Sequence, residues 1–330
     1  MKKVLIIITA LFVVLTMLGG CAQQPPKLSE LTIATSPGPI TYPLAKMKED
    51  NLLSNIADKT TINAWATGDQ LTAMVTSNQV QFAASPLTNA MMLYNKGVKV
   101  KLINVSVWGM LYVISSDQQL KSLDQLKGKT VAVVGGQTGL HASVFRHLLI
   151  KNNINPDKDL TIVDTDQTLA ATKLISKEIQ YAILNEPNSS IALMNAKQNN
   201  VALYRSIDLQ AEWAEITGKA DARIPWAGLI VVGDSAKNDV LIKTVLTQYN
   251  NSAKWVNENP AAVGDITVKY FPTMKAPAVT NSIPFSRLEP QSAAQSQELV
   301  EEFYNELLKT ASPQSIGGKL PDAGFYYQGK

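Results

Sequence analysis

Residues 129–140 read Lys-Thr-Val-Ala-Val-Val-Gly-Gly-Gln-Thr-Gly-Leu. The β-branched run at 129–134 predicts a buried strand, and the glycines after it predict a tight turn. From Leu140 to Lys151 the pattern predicts a helix. A strand, a glycine-rich loop and a helix in succession form the repeating unit of α/β folds. This stretch therefore decides the fold class, which we expect to be α/β.

The same alternation extends in both directions from this unit. Further strands are predicted at 31–35, 61–66, 81–84, 98–107, 111–115, 160–163 and 180–184. Helices are predicted at 42–49, 69–77, 86–95, 168–177 and 189–198, followed by two longer amphipathic helices at 241–257 and 292–308. Alternating elements of this kind favour parallel sheets covered by helices.

Two stretches, 102–115 and 225–232, are unusually apolar. Two such crossings suit two α/β lobes, of which the first is discontinuous. We expect lobe 1 to comprise 30–107 and 225–330, and lobe 2 to comprise 108–224. Ligands of open α/β sheets bind beyond the carboxyl ends of the strands. The predicted site is therefore a cleft between the two lobes.

The first twenty-one residues have the pattern of an export signal. Lys2 and Lys3 precede an apolar run at 4–17, which as a helix would span about 21 Å against a hydrocarbon core of about 30 Å. A run this short is typical of a signal peptide, expected at 1–20, rather than of a permanent membrane span. A polar tether with two adjacent prolines is expected at 21–29.

Residues 18–21, Leu-Gly-Gly-Cys, resemble the lipobox of bacterial lipoproteins. The resemblance implies that Cys21, the only cysteine, receives a diacylglycerol and becomes the first residue of the mature chain. An ordinary signal peptide with an incidental cysteine is the alternative. In both cases the mature protein is expected outside the cytoplasmic membrane, and the lipobox resemblance implies that a lipid anchors it there.

Composition excludes several function classes. A hydrophobic fraction of 45% with 17% charged residues supports a folded core and excludes wholesale disorder. Lys plus Arg number 30 and Asp plus Glu 27; without Lys2 and Lys3 the counts are 28 and 27, a net charge of +1. No nucleic-acid partner is expected, because the chain has neither a basic run nor a basic–aromatic stripe.

Catalytic and metal-binding motifs are also missing from the sequence. One cysteine and two histidines rule out a metal site rich in those residues, which leaves only a carboxylate-based site open. No Gly-x-Ser-x-Gly, His-Glu-x-x-His or Gly-x-x-x-x-Gly-Lys motif is present. We therefore expect neither a cofactor nor a metal, and we expect that the protein is not an enzyme.

Several segments together resemble a known family. They are the strand-loop-helix at 31–49, the helix start Gly68-Asp-Gln, residues 80–86 (Val-Gln-Phe-Ala-Ala-Ser-Pro), residues 123–133 (Leu-Asp-Gln-Leu-Lys-Gly-Lys-Thr-Val-Ala-Val) and Glu186-Pro187. Over roughly 30–310, the chain resembles the extracytoplasmic solute-binding proteins of ABC importers, in the branch for nitrate, sulfonates, taurine and thiamine precursors. Gln125, standing between Asp124 and Leu126, is a small departure from the usual stretch.

The resemblance implies a type II periplasmic-binding-protein fold, in which two α/β lobes joined by a hinge close on a small solute. It also implies partners, namely a membrane permease driven by a separate ATPase. A sensor protein built on the same fold is an alternative to transport.

The predicted ligand-binding residues lie in loops that follow strands or at the two crossings. They are Ser36, Pro37, Gly38, Trp65, Thr67, Gly68, Ser85, Trp108, Gly136, Gln137, Thr138, Asn185, Glu186 and Trp226. Backbone amides at a helix start make Gly136, Gln137 and Thr138 a candidate anion site. Trp65 is a candidate for stacking on a planar ligand, and Glu186 for accepting a hydrogen bond from an ammonium or a ring N–H.

Each of these residues also has a purely structural interpretation. Residues 36–38 suit a rigid surface turn, Trp65 suits the core, and Ser85 suits a helix cap. Trp108 and Trp226 suit packing between lobes, and Glu186 suits an interlobe or surface carboxylate. Asp69 is the expected N-cap of its helix, and His141 is expected on a solvated helix face.

The ligand class is the least determined part of the prediction. None of the arginines falls in the predicted cleft loops, so an anion would rest on amides and hydroxyls near Gly136. A sulfonate-, nitrate- or taurine-like solute is slightly favoured, because hydroxyl and glycine residues outnumber acids in these loops. A thiamine-precursor pyrimidine or another planar heterocycle is the alternative, suited by the tryptophans and Glu186.

Overall fold

The computed structural model describes residues 27–135 and 139–329. The predicted signal peptide, Cys21 and most of the tether lie outside the described residues. So do Gly136, Gln137 and Thr138, three of the predicted ligand-binding residues.

The described residues form strands and helices that alternate along most of the chain. The strands are β1 (Leu28–Thr35), β2 (Ala57–Ala64), β3 (Phe82–Pro86), β4 (Val100–Trp108), β5 (Leu111–Ser115), β6 (Thr130–Val134), β7 (Thr161–Thr165), β8 (Tyr181–Asn185), β9 (Tyr204–Asp208), β10 (Pro225–Val232) and β11 (Leu288–Ser292). The helices are α1 (Tyr42–Glu49), α2 (Gly68–Thr76), α3 (Leu87–Asn95), α4 (Leu140–Lys151), α5 (Gln167–Ile175), α6 (Asn188–Gln198), α7 (Leu209–Thr217), α8 (Asp239–Glu258), α9 (Pro260–Tyr270), α10 (Ala276–Ser282) and α11 (Ala293–Leu307).

The strands pair into two sheets, which confirms the predicted α/β class. The first sheet has the order β11-β4-β10-β3-β1-β2, and the second has the order β7-β6-β8-β5-β9. Both are mixed rather than purely parallel, because β10 is antiparallel to β3 and β4, and β5 is antiparallel to β8 and β9. Each of these two strands follows a crossing between the sheets and so enters its sheet from the opposite edge.

The register shows which strand ends share an edge. In the first sheet Thr35 pairs with Ala64 and Ala84, and Trp108 pairs with Pro225. The ends of β1–β4 and the start of β10 therefore share one edge, here called the first cleft edge. In the second sheet Leu111 pairs with Asn185, so the ends of β6, β8 and β9 and the start of β5 share the second cleft edge.

Only Gly109 and Met110 separate β4 from β5, so the two cleft edges adjoin at this crossing. Both residues have positive φ, at 71° and 65°. The Gly109 amide donates to the carbonyl of Ile224 on the return crossing at 2.8 Å, and the Glu186 amide donates to the Met110 carbonyl at 3.1 Å. The two crossings are thus hydrogen-bonded to each other and to the second cleft edge.

The core is built from the central strands and the apolar faces of the helices. All eight residues of β10 are buried, and the main cluster of buried apolar residues runs through both sheets. None of the helices in the described ranges combines the length and the apolar composition needed to cross a bilayer.

Strong apolar patterns gave accurate element bounds, whereas polar elements were missed. Residues 42–49, 111–115 and 140–151 form the elements predicted for them. Strands β9 and β11 and helices α7, α9 and α10 were not predicted. β9 reads Tyr-Arg-Ser-Ile-Asp and β11 contains Pro290, which suits only an edge strand.

Candidate functional site

The first loop of the cleft is held rigid by hydroxyl groups. Thr41 Oγ1 donates to the Ser36 carbonyl at 2.7 Å, and the hydroxyls of Thr35 and Thr41 lie 3.0 Å apart. Pro37 is exposed and Gly38 is buried. The loop therefore presents Pro37 to the cleft side of the first sheet on a fixed base.

Trp65 follows β2 at the first cleft edge, and its indole nitrogen has no partner in the described structure. Its amide donates to the Thr35 carbonyl at 2.9 Å, and its side chain is buried. The indole Nε1 is also buried and has no hydrogen-bond partner among the described residues. Because an unpaired buried donor is costly, this N–H is a candidate for a ligand contact.

The start of α2 corrects the predicted helix cap. Thr67 Oγ1 accepts from the Gln70 amide at 3.2 Å, and the Gln70 side chain accepts from the Ala66 amide at 2.7 Å. Thr67 is therefore the N-cap of a capping box, and Asp69 lies in the first turn instead. Gly68 and Thr67 are exposed, so both still meet the solvent on the cleft side.

Ser85 and Trp108 lie at the first cleft edge but are fully buried. Ser85 Oγ donates to the Pro86 carbonyl at 2.8 Å, and Trp108 Nε1 donates to the Glu289 carbonyl at 2.9 Å. Their polar atoms are thus engaged within the protein. Ser85 is not the helix cap that the sequence also allowed, because the N-cap of α3 is Pro86 and no side chain caps it. Contact of Ser85 or Trp108 with a ligand stays a prediction.

Glu186 lies at the second cleft edge as part of a buried ion pair. Its Oε1 accepts from Arg205 Nε at 2.8 Å and Nη2 at 2.6 Å, and its Oε2 accepts from the Ser190 amide at 3.2 Å. Burial raises the pKa of Glu186, and Arg205 opposes that shift. A ligand ammonium would have to compete with Arg205 for this carboxylate. Arg205 lies on β9, which the sequence pattern did not reveal.

Residues 285–287, between α10 and β11, reach from the first sheet to the second. The Arg205 guanidinium lies 3.7 Å from the Phe285 ring centre, and Tyr112 Oη donates to the Phe285 carbonyl at 2.8 Å. Arg287 forms a bidentate ion pair with Asp208, with Nη1 3.1 Å from Oδ1. We call the five residues of these contacts the interlobe latch: Tyr112, Arg205, Asp208, Phe285 and Arg287.

A second contact between the two edges involves His141 and Trp226. The two rings meet edge to face with centres 4.9 Å apart, and the Gln167 amide nitrogen lies 3.2 Å from His141 Nε2. Burial lowers the pKa of His141 to about 4, with Asn185 opposing the shift. The imidazole is therefore neutral at pH 7, and it packs against Trp226 instead of facing solvent as expected.

Asn185 and Gln167 add neutral amides to this corner of the cleft. Asn188 Nδ2 donates to Asn185 Oδ1 at 3.2 Å. Gln167 Oε1 is buried and has no partner among the described residues. The corner thus offers aromatic faces and amide groups without a net charge.

A small cavity of about 210 Å³ lies between the edges at another point. Pro37 contributes from the first edge, Pro187 and Asn188 contribute from the second, and residues 273–279 close it. Its remaining walls are largely apolar, and Lys275 is its one charged lining residue. No ion pair of Lys275 with a described residue is seen. A single cation beside an apolar surface suits a small monoanion with an apolar portion.

Within residues 27–135 and 139–329, no group of three or more Asp, Glu, His or Cys side chains is arranged to hold a metal ion. The chemistry that the described cleft offers is therefore hydrogen bonding, aromatic contact and one cation. The buried pair Glu186–Arg205 and the partly exposed pair Asp208–Arg287 cancel their own charges.

Comparisons with known proteins place this geometry in a family. The structure is similar to a solved ABC transporter structure from Parabacteroides distasonis, with a TM-score of 0.74, 21% identity, and coverage of 91% of this chain and 99% of the other. It is also similar to the periplasmic aliphatic sulphonate-binding protein SsuA of Escherichia coli, with a TM-score of 0.65, 14% identity, and coverage of 90% and 93%.

The periplasmic nitrate-binding protein NrtA of Synechocystis PCC 6803 gives a TM-score of 0.65 at 12% identity, with coverage of 89% of this chain and 85% of the other. At such identities these likenesses show a shared periplasmic-binding-protein fold, as the sequence predicts. No curated protein sequence matches the chain. The sequence model of the family described as NMT1/THI5 like matches residues 59–262. Since this match covers well over half of the chain, the protein belongs to the NMT1/THI5-like family.

Proposed function

We propose that the protein is the extracytoplasmic solute-binding component of an ABC importer, anchored to the membrane through a lipid on Cys21. Its family and its structural neighbours support the binding role. The observation that carries the proposal is the meeting of two strand-end edges at a two-residue crossing, with a cavity between them. Open α/β sheets bind ligands at such edges. The permease and its ATPase would be its partners.

Hinge closure about the two crossings is the proposed mechanism of capture. In this proposal lobe 1 comprises 30–107 and 225–330, lobe 2 comprises 108–224, and Gly109–Met110 and the return crossing form the hinge. A Cβ on Gly109 would lie 2.8 Å from the Gln210 Cβ and 3.0 Å from Arg287 Nη1. The hinge is thus tightly packed and tolerates only glycine at this position.

The first candidate ligand is a small monoanion with an apolar portion, such as an alkanesulfonate or taurine. The cavity at Pro37, with Lys275 at its wall and Ile191, Met274 and Val279 among its apolar lining residues, supports this class. Backbone amides at residues 136–138 are further proposed donors. A polyanion is disfavoured, because the other cations described at the cleft edges are already paired.

The second candidate is a planar nitrogen heterocycle such as a pyrimidine. The corner formed by His141, Trp226, Gln167 and Asn185 supports this class, because it combines aromatic rings with neutral amides. The unpaired Gln167 Oε1 would accept a ring or exocyclic N–H.

A thermal-shift and calorimetric screen would separate these candidates. The chain from Lys27 onward, which keeps every described residue, is mixed with alkanesulfonates, taurine, nitrate and pyrimidines. A ligand at about 100 times its Kd should stabilise the protein by about 2.7 kcal/mol. Lys275→Met should abolish binding of a sulfonate but leave binding of a heterocycle unchanged. Gln167→Ala should abolish binding of a heterocycle but leave binding of a sulfonate unchanged. Lys254→Met, at an exposed lysine, is the matched control.

If neither sulfonates nor heterocycles bind, both proposed ligand classes are wrong. If a ligand binds equally well to the wild type and to both variants, the binding site lies elsewhere. The lipid anchor is tested separately with Cys21→Ser in the full chain. That variant should no longer incorporate labelled lipid, and normal labelling would contradict the anchor.

A further inference from the structure

A second cavity of about 730 Å³ lies at the far edge of the first sheet, opposite the cleft. It is lined by the start of β4, the residues just after β10, and the segment 319–324. Its charged lining residues are Lys99, Lys101, Lys237, Lys319, Asp234 and Asp322. The cavity therefore has a formal charge of +2, on a mature chain whose proposed net charge is only +1.

The two aspartates are already engaged. Asp322 accepts from Tyr94 Oη at 2.6 Å and from the Gly324 amide at 2.8 Å, and Asp234 pairs with Lys237 at 2.6 Å. Lys99, Lys101 and Lys319 have no ion pair with any residue in the described part of the chain. Lys99 and Lys319 are exposed and Lys101 is partly so. Three ammonium groups are thus available to an external anion.

The direction of β1 places the start of the chain on this same side. β1 is parallel to β3, and β10 is antiparallel to β3, so Leu28 lies at the edge where β4 starts and β10 ends. Ile33 pairs with Phe82, and Phe82 pairs with Val231. Because Leu28 lies five residues before Ile33 along β1, it is about 16 Å from the end of β10. Seven residues lead from Cys21 to Leu28, a reach of at most about 24 Å.

An exposed apolar side chain follows Lys237, one of the lining lysines, by three residues. Val240 is 51% exposed and lies in the first turn of α8, shortly after the end of β10. Cations beside an exposed apolar side chain are typical of a surface that rests on a bilayer.

We propose that this cationic face binds the anionic headgroups of the membrane to which Cys21 is anchored. The proposal rests on the anchored importer proposed above and extends it. A short tether forces the far edge toward the bilayer, and the lysines then hold it there. In this orientation the first cleft edge points away from the membrane and lobe 2 lies farther from the bilayer than lobe 1, until the protein turns to meet its permease.

Vesicle binding by the chain from Lys27 onward tests this face without the lipid anchor. We expect binding to phosphatidylcholine vesicles that contain about one third phosphatidylglycerol, and none to pure phosphatidylcholine. Binding should weaken as salt shortens the screening length. Replacing Lys99, Lys101 and Lys319 by Gln should weaken it about fivefold per lysine, or about 100-fold in total.

The matched control replaces Lys121, Lys158 and Lys197 by Gln, three exposed lysines on the second sheet's side of the molecule. An equal loss in this control would overturn the proposal, because net charge alone would then explain binding. Full competition by millimolar glycerol phosphate would also overturn it, in favour of a pocket for a small free anion. Solute binding should be the same in both triple variants, so failure of the membrane face leaves the test of the importer role intact.

Discussion

Single residues show both the reach and the limit of inference from the sequence. Glu186 was predicted as a ligand contact, and the sequence could not show that its partner is Arg205. Arg205 is nineteen positions away on a strand whose alternation is too polar to recognise, and β5 lies between β8 and β9 in the sheet. In the same way, His141 and Trp226 meet only because the crossing brings the two edges together. Pairing across a fold depends on topology, which local patterns do not encode.

His147 should make stability depend on pH. It is fully buried, its Nδ1 lies 2.9 Å from Thr310 Oγ1, and burial lowers its pKa to about 4. The unfolded state therefore binds more protons between pH 6.5 and 4, and stability falls as pH drops through this window. Across this window the contribution of His147 should lower the free energy of unfolding by about 3 kcal/mol. The measurement is urea unfolding at a series of pH values.

The His147→Gln variant supplies the control for that pH series. Its free energy of unfolding should fall less between pH 6.5 and 4, although the part due to His141, whose pKa is also lowered to about 4, should remain. Parallel pH curves for the wild type and the variant would refute the assignment to His147.

At the scale of elements, β4 and β10 approach each other tightly at Gly228. A Cβ on Gly228 would lie 2.1 Å from the backbone oxygen of Asn104. Asn104 Oδ1 also accepts from the Leu229 amide at 2.8 Å, beside a register shift in the ladder. The backbone and this side chain therefore fix the approach of the two strands.

Gly228→Ala should lower the free energy of unfolding by about 3 kcal/mol, because the methyl group forces the two strands apart. The comparison is Gly218→Ala at the end of α7, where φ is 66° and the space for a Cβ is open. That change should cost only about 1 kcal/mol. Similar losses in the two variants, measured by urea unfolding, would show that the strands can separate without cost.

Elements with strong apolar periodicity were therefore predictable, and those built on polar or proline-rich sequence were not. Helices α9 and α10 each have a proline in the first turn. A proline is common at the start of a helix, but it resembles a helix-ending signal when the residues after it lack clear amphipathic spacing. The loops after β1, β2 and β3 were recognisable because they follow apolar strands, and the register places the ends of those strands at one edge. No sequence pattern pointed to residues 273–287, which supply Lys275 and two of the five residues of the interlobe latch.

At the scale of the whole molecule, the interlobe latch should bias the proposed hinge toward the closed arrangement. Asp208→Asn removes the charge that pairs with Arg287 but keeps an N-cap for α7, where Asp208 accepts from the Gln210 amide. Loss of a half-exposed pair worth about 1 kcal/mol would shift the populations about fivefold toward the open state. The ligand-free radius of gyration from X-ray scattering should rise, and solute affinity should fall.

Asp166→Asn is the matched control, because Asp166 caps α5 through the Leu169 amide and forms no ion pair across the cleft with a residue that the structure describes. It should change neither the radius of gyration nor solute affinity. If Asp208→Asn also leaves both unchanged, the latch does not govern opening.

The first sheet draws its strands from residues 28–108, 225–232 and 288–292, and Phe325 and Tyr326 complete its core. Tyr326 even bridges to Leu102 in β4. During synthesis, more than two hundred further residues must therefore be made after residues 28–108 before the first sheet and its core are complete. The second sheet, drawn from 111–208, becomes complete much earlier. A chain whose first part cannot fold until its last part has emerged stays extended for longer, and an extended chain is what a secretion channel can thread.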